Sequence, residues 1–222
     1  MTATPARLAT ACALLLAPAT ASAAPAMSPL RPCYDAVSTH DGGTEAVIVA
    51  ASGFTPGTLV DVAVDGVVEF SGVQVAADGT VTGRVPAPFV AEGRRAFTVA
   101  VTQQGVPELT ASASSLVTRL AVELTPRASR PSGRVRLRGS GFTADGPIYL
   151  HYVRKGRLRR TVRLAKAPDG PCGDFDVHRR QFPFAPSVGR WILQVDQQRR
   201  YAARPKTAFL QLAVDVRARR RS

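Results

Sequence analysis

A four-residue corner occurs twice in this chain: Ser52-Gly53-Phe54-Thr55 and, 88 positions on, Ser140-Gly141-Phe142-Thr143. Each copy closes one short run of alternating apolar residues and opens another. Runs with a period of two are strands, and a punctuation mark repeated at this distance means two copies of one β unit rather than one large domain. Two units of roughly 100 residues fit the length.

The first unit reads as follows. Residues 24–32 are rich in Pro and Ala and read as a lead-in linker. Residues 33–40 suit an edge strand, which Asp41-Gly42-Gly43 breaks. Residues 45–51 are apolar and β-branched up to the first corner, and Pro56-Gly57 is a turn pair. In residues 59–64, Val60, Val62 and Val64 fall on one side, Asp61 and Ala63 on the other. Asp65-Gly66 between Val64 and Val67 is a two-residue hairpin signal, since both loop positions must tolerate positive φ. Asp78-Gly79 repeats the device between residues 73–77 and 80–85. Pro86-Ala87-Pro88 cannot continue a central strand. Residues 96–102 and 112–118 complete about seven short strands, with no stretch of helical period.

The second unit repeats the order. Residues 120–124 open it, and the stretch from Pro126 to Pro131 is a break. In residues 134–138, Val135 and Leu137 point to the core while Arg134, Arg136 and Arg138 face water. Residues 148–153, a Lys155-Gly156 hairpin and residues 158–164 follow. Asp169-Gly170 matches Asp78-Gly79, and residues 175–181 precede Pro183 as Val85 precedes Pro86. Residues 189–195 lie over 93–99, and residues 208–214 are the last strand. The expected fold is all-β: two tandem immunoglobulin-like antiparallel β-sandwiches, residues 33–118 and 119–216, with a basic tail at 217–222.

The run V-x-V-x-A-S-G-F-T-P-G-T-x-V-x-V-x-x-D-G, followed by A-D-G-x-V and a later G-x-x-x-F-x-V, resembles the bacterial immunoglobulin-like modules of exported actinobacterial proteins. The S-G-F corner is also similar to that of neocarzinostatin-type sandwiches. That second likeness implies a small apolar ligand carried in a cleft. It also implies two disulfides within one domain, whose cysteines this chain lacks.

Residues 1–23 read as a cleaved signal peptide. Arg7 is the positive n-region, residues 8–17 are the apolar stretch and Ala21-Ser22-Ala23 is the cleavage site. The stretch is too short to span a bilayer, and no later one is long and apolar enough. Cys12 precedes the leucine run, where a lipid anchor would need it to follow, and no LPxTG-like sorting sequence occurs. The expectation is a secreted protein, free or held at the envelope by non-covalent contacts. Cleavage leaves Cys33 and Cys172. Two thiols in an oxidising compartment usually pair, and the sequence leaves open whether these two meet or stay unpaired or intermolecular.

Charge is divided unequally. Residues 24–119 hold five Arg against nine Asp and Glu, a net −4; residues 120–222 hold 23 Arg and Lys against seven Asp and Glu, a net +16. An asymmetry of this size points to an acidic partner. GC-rich coding would enrich Arg, Ala, Gly and Pro in the same way.

No residue pattern carries enzyme chemistry. His40, His151 and His178 lack metal-ligand spacing, and no G-x-S-x-G elbow occurs. Asp169, Asp174 and Asp176 do not follow the order of an EF loop, and turns recruit Asp for their own reasons. No cofactor is expected. Trp191, in parity with Leu193 and Val195, reads as core. Tyr149 and His151 are expected outside if Leu150 is inside.

What remains is arginine. Parity puts Arg157, Arg159 and Arg163 on one side of a strand, beside Arg154 and Lys155 of the hairpin. It puts Arg134, Arg136 and Arg138 on one side of another strand, and Asp176, His178 and Arg180 outward on the strand beside it. Like charges facing each other across strands repel by up to roughly 1 kcal/mol per pair, so an anionic partner would relieve such a row. The expectation is a non-enzymatic binding or adhesion module whose second unit grips an acidic envelope polymer or another polyanion: teichoic acid, acidic glycan, lipid headgroup or released DNA. No specific nucleic acid is implied. The first unit is a spacer or a protein contact, and a purely structural spacer is the alternative.

Overall fold

At both repeated corners a glycine takes a backbone conformation that side chains resist: Gly53 has φ 89° and Gly141 φ 88°. The turn drives Phe54 and Phe142 into separate cores. The computed structural model describes residues 24–36, 44–126 and 130–217. The leader, Cys12, His40, the Asp41-Gly42-Gly43 break and the tail beyond Arg217 lie outside the described residues.

The first module contains β1 (Ala26–Met27), β2 (Cys33–Asp35), β3 (Ala46–Ser52), β4 (Leu59–Val64), β5 (Val67–Gln74), β6 (Val81–Pro86), β7 (Arg94–Gln103) and β8 (Val106–Thr118). They form two sheets, β1-β3-β6 and β2-β8-β7-β4-β5. Val47, Val49, Val60, Phe97 and Val99 meet between them. The second module contains β9 (Ala121–Thr125), β10 (Arg134–Ser140), β11 (Ile148–Arg154), β12 (Arg157–Ala165), β13 (Phe175–Arg180), β14 (Gly189–Asp196) and β15 (Phe209–Val216). Its sheets are β9-β10-β13 and β12-β11-β14-β15. They enclose Leu137, Phe142, Leu150, Tyr152, Trp191 and Leu193. No helix occurs among the described residues. The chain is all-β, with two tandem immunoglobulin-like sandwiches.

Both two-residue hairpins form as their sequences require. Asp65 and Lys155 take φ 50° and 47°, and the glycines after them 81° and 71°, the paired positive values of a tight strand connection. Val135 and Leu137 are buried, and Trp191 is 2% exposed.

Elsewhere the sequence reading is corrected. Residues 24–32 are no linker: β1 pairs with Ala51 and Ser52, and Met27 and Leu30 pack on the first core. β2 runs parallel to β8, Cys33 facing Leu116, so the module is not purely antiparallel. β7 and β8 join at Gln104-Gly105, with Gly105 at φ 76°. Asp78-Gly79 joins no hairpin, because β5 and β6 belong to different sheets. It is the crossing turn, tied by Gly79 N donating to the Ala76 carbonyl. Its counterpart is Gly173, not Gly170. Phe54 N donates to the Gly79 carbonyl at 3.3 Å, and Phe142 N to the Gly173 carbonyl at 3.2 Å.

The modules meet closely. Only Arg119 and Leu120 separate β8 from β9. Cys33 and Cys172 form a disulfide across that joint. Arg94 of β7 donates to Asp174 at 2.7 Å, and Ser140 Oγ donates to the Arg119 carbonyl at 3.2 Å. The two modules also differ. The last strand of the first, β8, has β2 on its outer side, whereas among the described residues nothing pairs with the outer side of β15.

Candidate functional site

Register decides where the arginines stand. β10 faces β13 with Arg134 opposite Arg180, Arg136 opposite His178 and Arg138 opposite Asp176. The expected row therefore exists, but Asp176 divides it. Its carboxylate accepts from Arg136 Nε at 2.8 Å, again from Arg136 Nη2, and from Arg138 Nε at 3.1 Å. The hydrogen bonds from Arg136, seconded by those from Arg138, hold the Asp176 carboxyl down to about 2. Glu123 on β9 faces Arg138 from the other side. Arg136 and Arg138 are thus already occupied by acids of the same face, while Arg134 and Arg180 face each other.

The second expected row does not form. β11 and β12 slip register between Tyr152 and Val153, so that Val153 faces Leu158 while Tyr152 faces Arg160. Arg159 falls in the bulge. Arg157 faces Arg154 and Arg163 faces Tyr149. Arg154 and Tyr149 are five residues apart on a strand whose register with β14 is unbroken, so they point to opposite faces. Arg157 and Arg163 therefore do so too. The extra residue reverses parity along the strand.

What the fold gathers instead is one end of the module. Tyr152 Oη donates to the Gln181 carbonyl at 3.0 Å, and Gln181 N to the Gly133 carbonyl at 2.9 Å. The Arg134/Arg180 end of one sheet thus lies beside the hairpin end of the other. Burial pushes the Tyr152 phenol up to about 12, against a smaller opposing pull from Arg179 and Arg160. Arg154 rests over the Trp191 ring, 5.9 Å from its centroid, and donates to the Val188 carbonyl at 2.7 Å. Lys155 and Arg157 are exposed at the hairpin tip. Arg190, which sequence reading did not single out, and Arg217, which it gave to the basic tail, join them because Gly189 pairs with Val216. Asp215, opposite Arg190, is an acid within this group.

The other end, at the joint, gathers acids, two of them already paired: Asp174 with Arg94, and Asp176 with Arg136 and Arg138. A cleft of about 860 Å³ is lined by Glu123, Asp169, Asp174 and Asp176, with Arg94 and Arg138 and with the Gln211–Ala213 stretch of β15. Four of the seven acids in residues 120–222 line it. Among the described residues no group of three His, Cys, Asp or Glu side chains is placed to hold a metal ion.

His151 is fully buried, against the expectation that it faces water. Tyr149 is half-buried. Residues 197–208 fold over the outside of β11 and β14. His151 Nε2 lies 3.2 Å from Asp196 Oδ1 and 3.0 Å from the Gln198 carbonyl, and Nδ1 lies 2.8 Å from Thr161 Oγ1. Two acceptors at Nε2 place a proton there, and the Thr161 hydroxyl is the partner of Nδ1. Tyr201 covers the ring at 5.6 Å between centroids. His178, by contrast, is exposed.

In the first module an apolar groove of about 180 Å³ opens between β5 and β6, lined by Val49, Val62, Phe70 and Val73. Clefts that enclose small molecules run from roughly 300 Å³ upward.

No family model matches the chain, and no curated protein sequence matches it. Among solved structures it is similar to a Ca²⁺-stabilized adhesin that helps an Antarctic bacterium bind ice, at 17% identity over 88% of this chain and 48% of that one, TM-score 0.38. It is similar to the tetra-tandem repeat in the extending region of a large adhesion protein, at 14% identity over 86% and 48%, TM-score 0.27. A third likeness is to the N-terminal eight Ig domains of Down Syndrome Cell Adhesion Molecule, at 12% identity over 88% and 27%, TM-score 0.31. The chain spans about half the length of the first two.

Proposed function

We propose that this is an exported, non-enzymatic binding module of the kind its sequence resembles, and that the far end of its second sandwich contacts an acidic envelope polymer. The first sandwich is a spacer that presents the second. The observation that carries this reading is the convergence of Arg134, Arg154, Lys155, Arg157 and Arg180 on one end, with Arg190 and Arg217 beside them. Guanidinium groups grip phosphate and carboxylate in pairs, and exposed groups within a Debye length of about 8–10 Å act on one polymer together. The cystine at the joint supports export, since such bonds persist in oxidising compartments. It also supports a spacer role, because it limits how the joint can bend.

The test is retention of the mature protein on washed cell wall and on a soluble polyanion at about 0.05 and about 0.3 M salt. Retention is expected to fall steeply with salt. It is expected to vanish when Arg154, Arg157 and Arg180 are changed to Glu, and to survive Arg163→Glu on the opposite face. Binding that persists through the triple reversal, or falls equally with Arg163→Glu, overturns the reading.

A further inference from the structure

Because the two sandwiches repeat one another, equivalent positions can be matched through their pairings. Val62 and Tyr152 each stand three residues before the first residue of their hairpin turns, Asp65 and Lys155. Val62 faces Phe70 on β5, and Tyr152 faces Arg160 on β12. Val47 and Val135 each stand six residues before the corner glycine. Val47 faces Val85 on β6, and Val135 faces Arg179 on β13. In the first module Phe70 and Val85 both line the apolar groove between β5 and β6. In the second module the same two positions are arginines.

Both belong to the inner faces of their sheets. Residues opposite each other on antiparallel strands share a face, and Tyr152 and Val135 are core residues. Val162 and Val177, two positions away on the same faces, pack on that core. β12 and β13 are edge strands of the two sheets and come together on one side of the sandwich. Arg160 and Arg179 therefore stand at that open side, one from each sheet. Tyr152 lies between them: its Oη donates to the carbonyl of Gln181, which shares a face with Arg179, and its phenol feels both charges. No acid stands with them. Glu123, Asp169, Asp174 and Asp176 line the joint cleft, Asp196 is bound to His151 on the outer face, and Asp215 is on β15 at the far edge. Asp145, in the turn before β11, is at the opposite end of that strand from the hairpin. Arg179 Nε is buried and, among the described residues, finds no acceptor. Native proteins leave few buried donors in that state, and an ion is one of the things that completes them.

We propose that the open side between β12 and β13 is a phosphate site, in which Arg160 and Arg179 grip one phosphoryl group from the two sheets. Two guanidinium charges without an acid call for a dianion. Free phosphate or a phosphate monoester supplies one, and a carboxylate does not. Its oxygens can accept from both planar forks, the Arg179 Nε–H included. Arg157 and Arg180 of the far end lie on the same two strands. The site thus deepens the polymer-contact reading, and it rests on that reading only for where the phosphate comes from.

The experiment is calorimetric titration of the oxidised mature chain, residues 24–222, with inorganic phosphate, ionic strength being held constant with sodium chloride. One saturable site per chain is expected, and phosphate is expected to raise the unfolding midpoint. Arg160 is exposed, so Arg160→Gln leaves the fold intact; it is expected to weaken binding by at least about tenfold. Arg160→Phe with Arg179→Val, the residues of the first module, is expected to abolish it, with Trp191 fluorescence confirming a folded second core. Arg163→Gln, on the outer face, leaves binding unchanged. Competition by washed cell wall that phosphatase treatment removes assigns the phosphate to a monoester of the wall; phosphate binding without such competition assigns it to free phosphate, and both support the site. No saturable binding up to about 10 mM phosphate overturns the proposal, as does binding that survives the double change or falls equally with Arg163→Gln. Wall retention that persists when Arg154, Arg157 and Arg180 are changed to Glu, in a chain that still binds phosphate, sinks the polymer reading and leaves this site standing.

Discussion

Cys33, at the start of β2, is bonded to Cys172, in the turn before β13, across 139 residues of sequence. One bond therefore ties the only parallel strand described to the crossing turn of the next module. In the chain-entropy model, closing a loop of that size stabilises the folded chain by about 5 kcal/mol. The oxidised protein is expected to unfold in one calorimetric transition and the reduced protein in two, the lower shifted down. A reduced protein with the same single transition would show that Arg94–Asp174 and the Arg119 contacts hold the joint without the bond.

The glycines of the two crossing turns predict an unequal pair of mutants. Gly79 and Gly173 have φ 77° and 67°. A Cβ on Gly79 would lie 2.8 Å from the Phe54 carbonyl oxygen, and one on Gly173 would overlap the Phe142 carbonyl more deeply. Gly173→Ala is expected to cost about 3–5 kcal/mol and Gly79→Ala about 2–3 kcal/mol. Gly72→Ala, where φ is 72° but nothing lies within 4 Å, costs only the conformational penalty of about 1–2 kcal/mol. Trp191 is the single tryptophan and sits in the second core, so in the reduced protein, where the modules unfold apart, its fluorescence separates them: Gly173→Ala moves that transition and Gly79→Ala does not. Equal losses at Gly72 and Gly173 would remove steric overlap as the cause.

Locally encoded features were readable from sequence. Asp65-Gly66 and Lys155-Gly156 form hairpins because the chemistry of a two-residue turn is contained in it. Val135 and Leu137 go inside because three unbroken residues fix parity. Parity counting failed on β12, where one extra residue near Arg159 reverses every side chain after it, and bulges leave little trace in composition. It failed at His151 because the segment covering it arrives from residues 197–208. Gly170 and Gly173 share one turn, and only the distant Phe142 carbonyl distinguishes them. Asp176 was placed correctly outward, but its grip on two arginines depends on cross-strand register. The candidate site inherits these limits: Arg134 and Arg180 were legible as outward residues of neighbouring strands, whereas their facing register and the partnership of Arg190 and Arg217 depend on how the strands pair.

The Asp176 clamp gives a pH dependence with a definite sign. Its folded carboxyl is held at about 2, against 3.8 for the free group. A depressed carboxylate stabilises above the unfolded value and ceases to do so as pH falls through the folded one. The contribution is therefore complete above about pH 4 and lost by about pH 2. Carboxyl-carbon resonances should show Asp176 titrating near 2 in the native protein and moving back toward 3.8 in Arg136→Gln. An unmoved midpoint would mean that Arg138 alone sustains the clamp.

The buried network around Asp196 predicts a graded loss. Asp196 accepts from Gln194 Nε2 at 2.8 Å, from Gln198 N at 2.8 Å and from His151 Nε2 at 3.2 Å. Gln194 Nε2 also reaches the Ala202 carbonyl and His151 Nε2 the Gln198 carbonyl. Asp196→Ala therefore leaves the Gln198 amide as the one donor with no second acceptor among these contacts, and it weakens the other two. A buried donor left unmade costs about 1–3 kcal/mol and the two weakened bonds add to it, so about 3 kcal/mol is expected. Asp196→Asn keeps an acceptor oxygen toward Gln198 and should cost about 1 kcal/mol. Denaturant unfolding followed at Trp191 reads both. Proteolysis within residues 197–208 should accelerate in the Ala variant alone, because that segment is held down through Gln198 and Ala202. Equal costs for Asn and Ala, or a segment no more open to protease in the Ala variant, would mean that packing under Tyr201 rather than the carboxylate holds the covering loop.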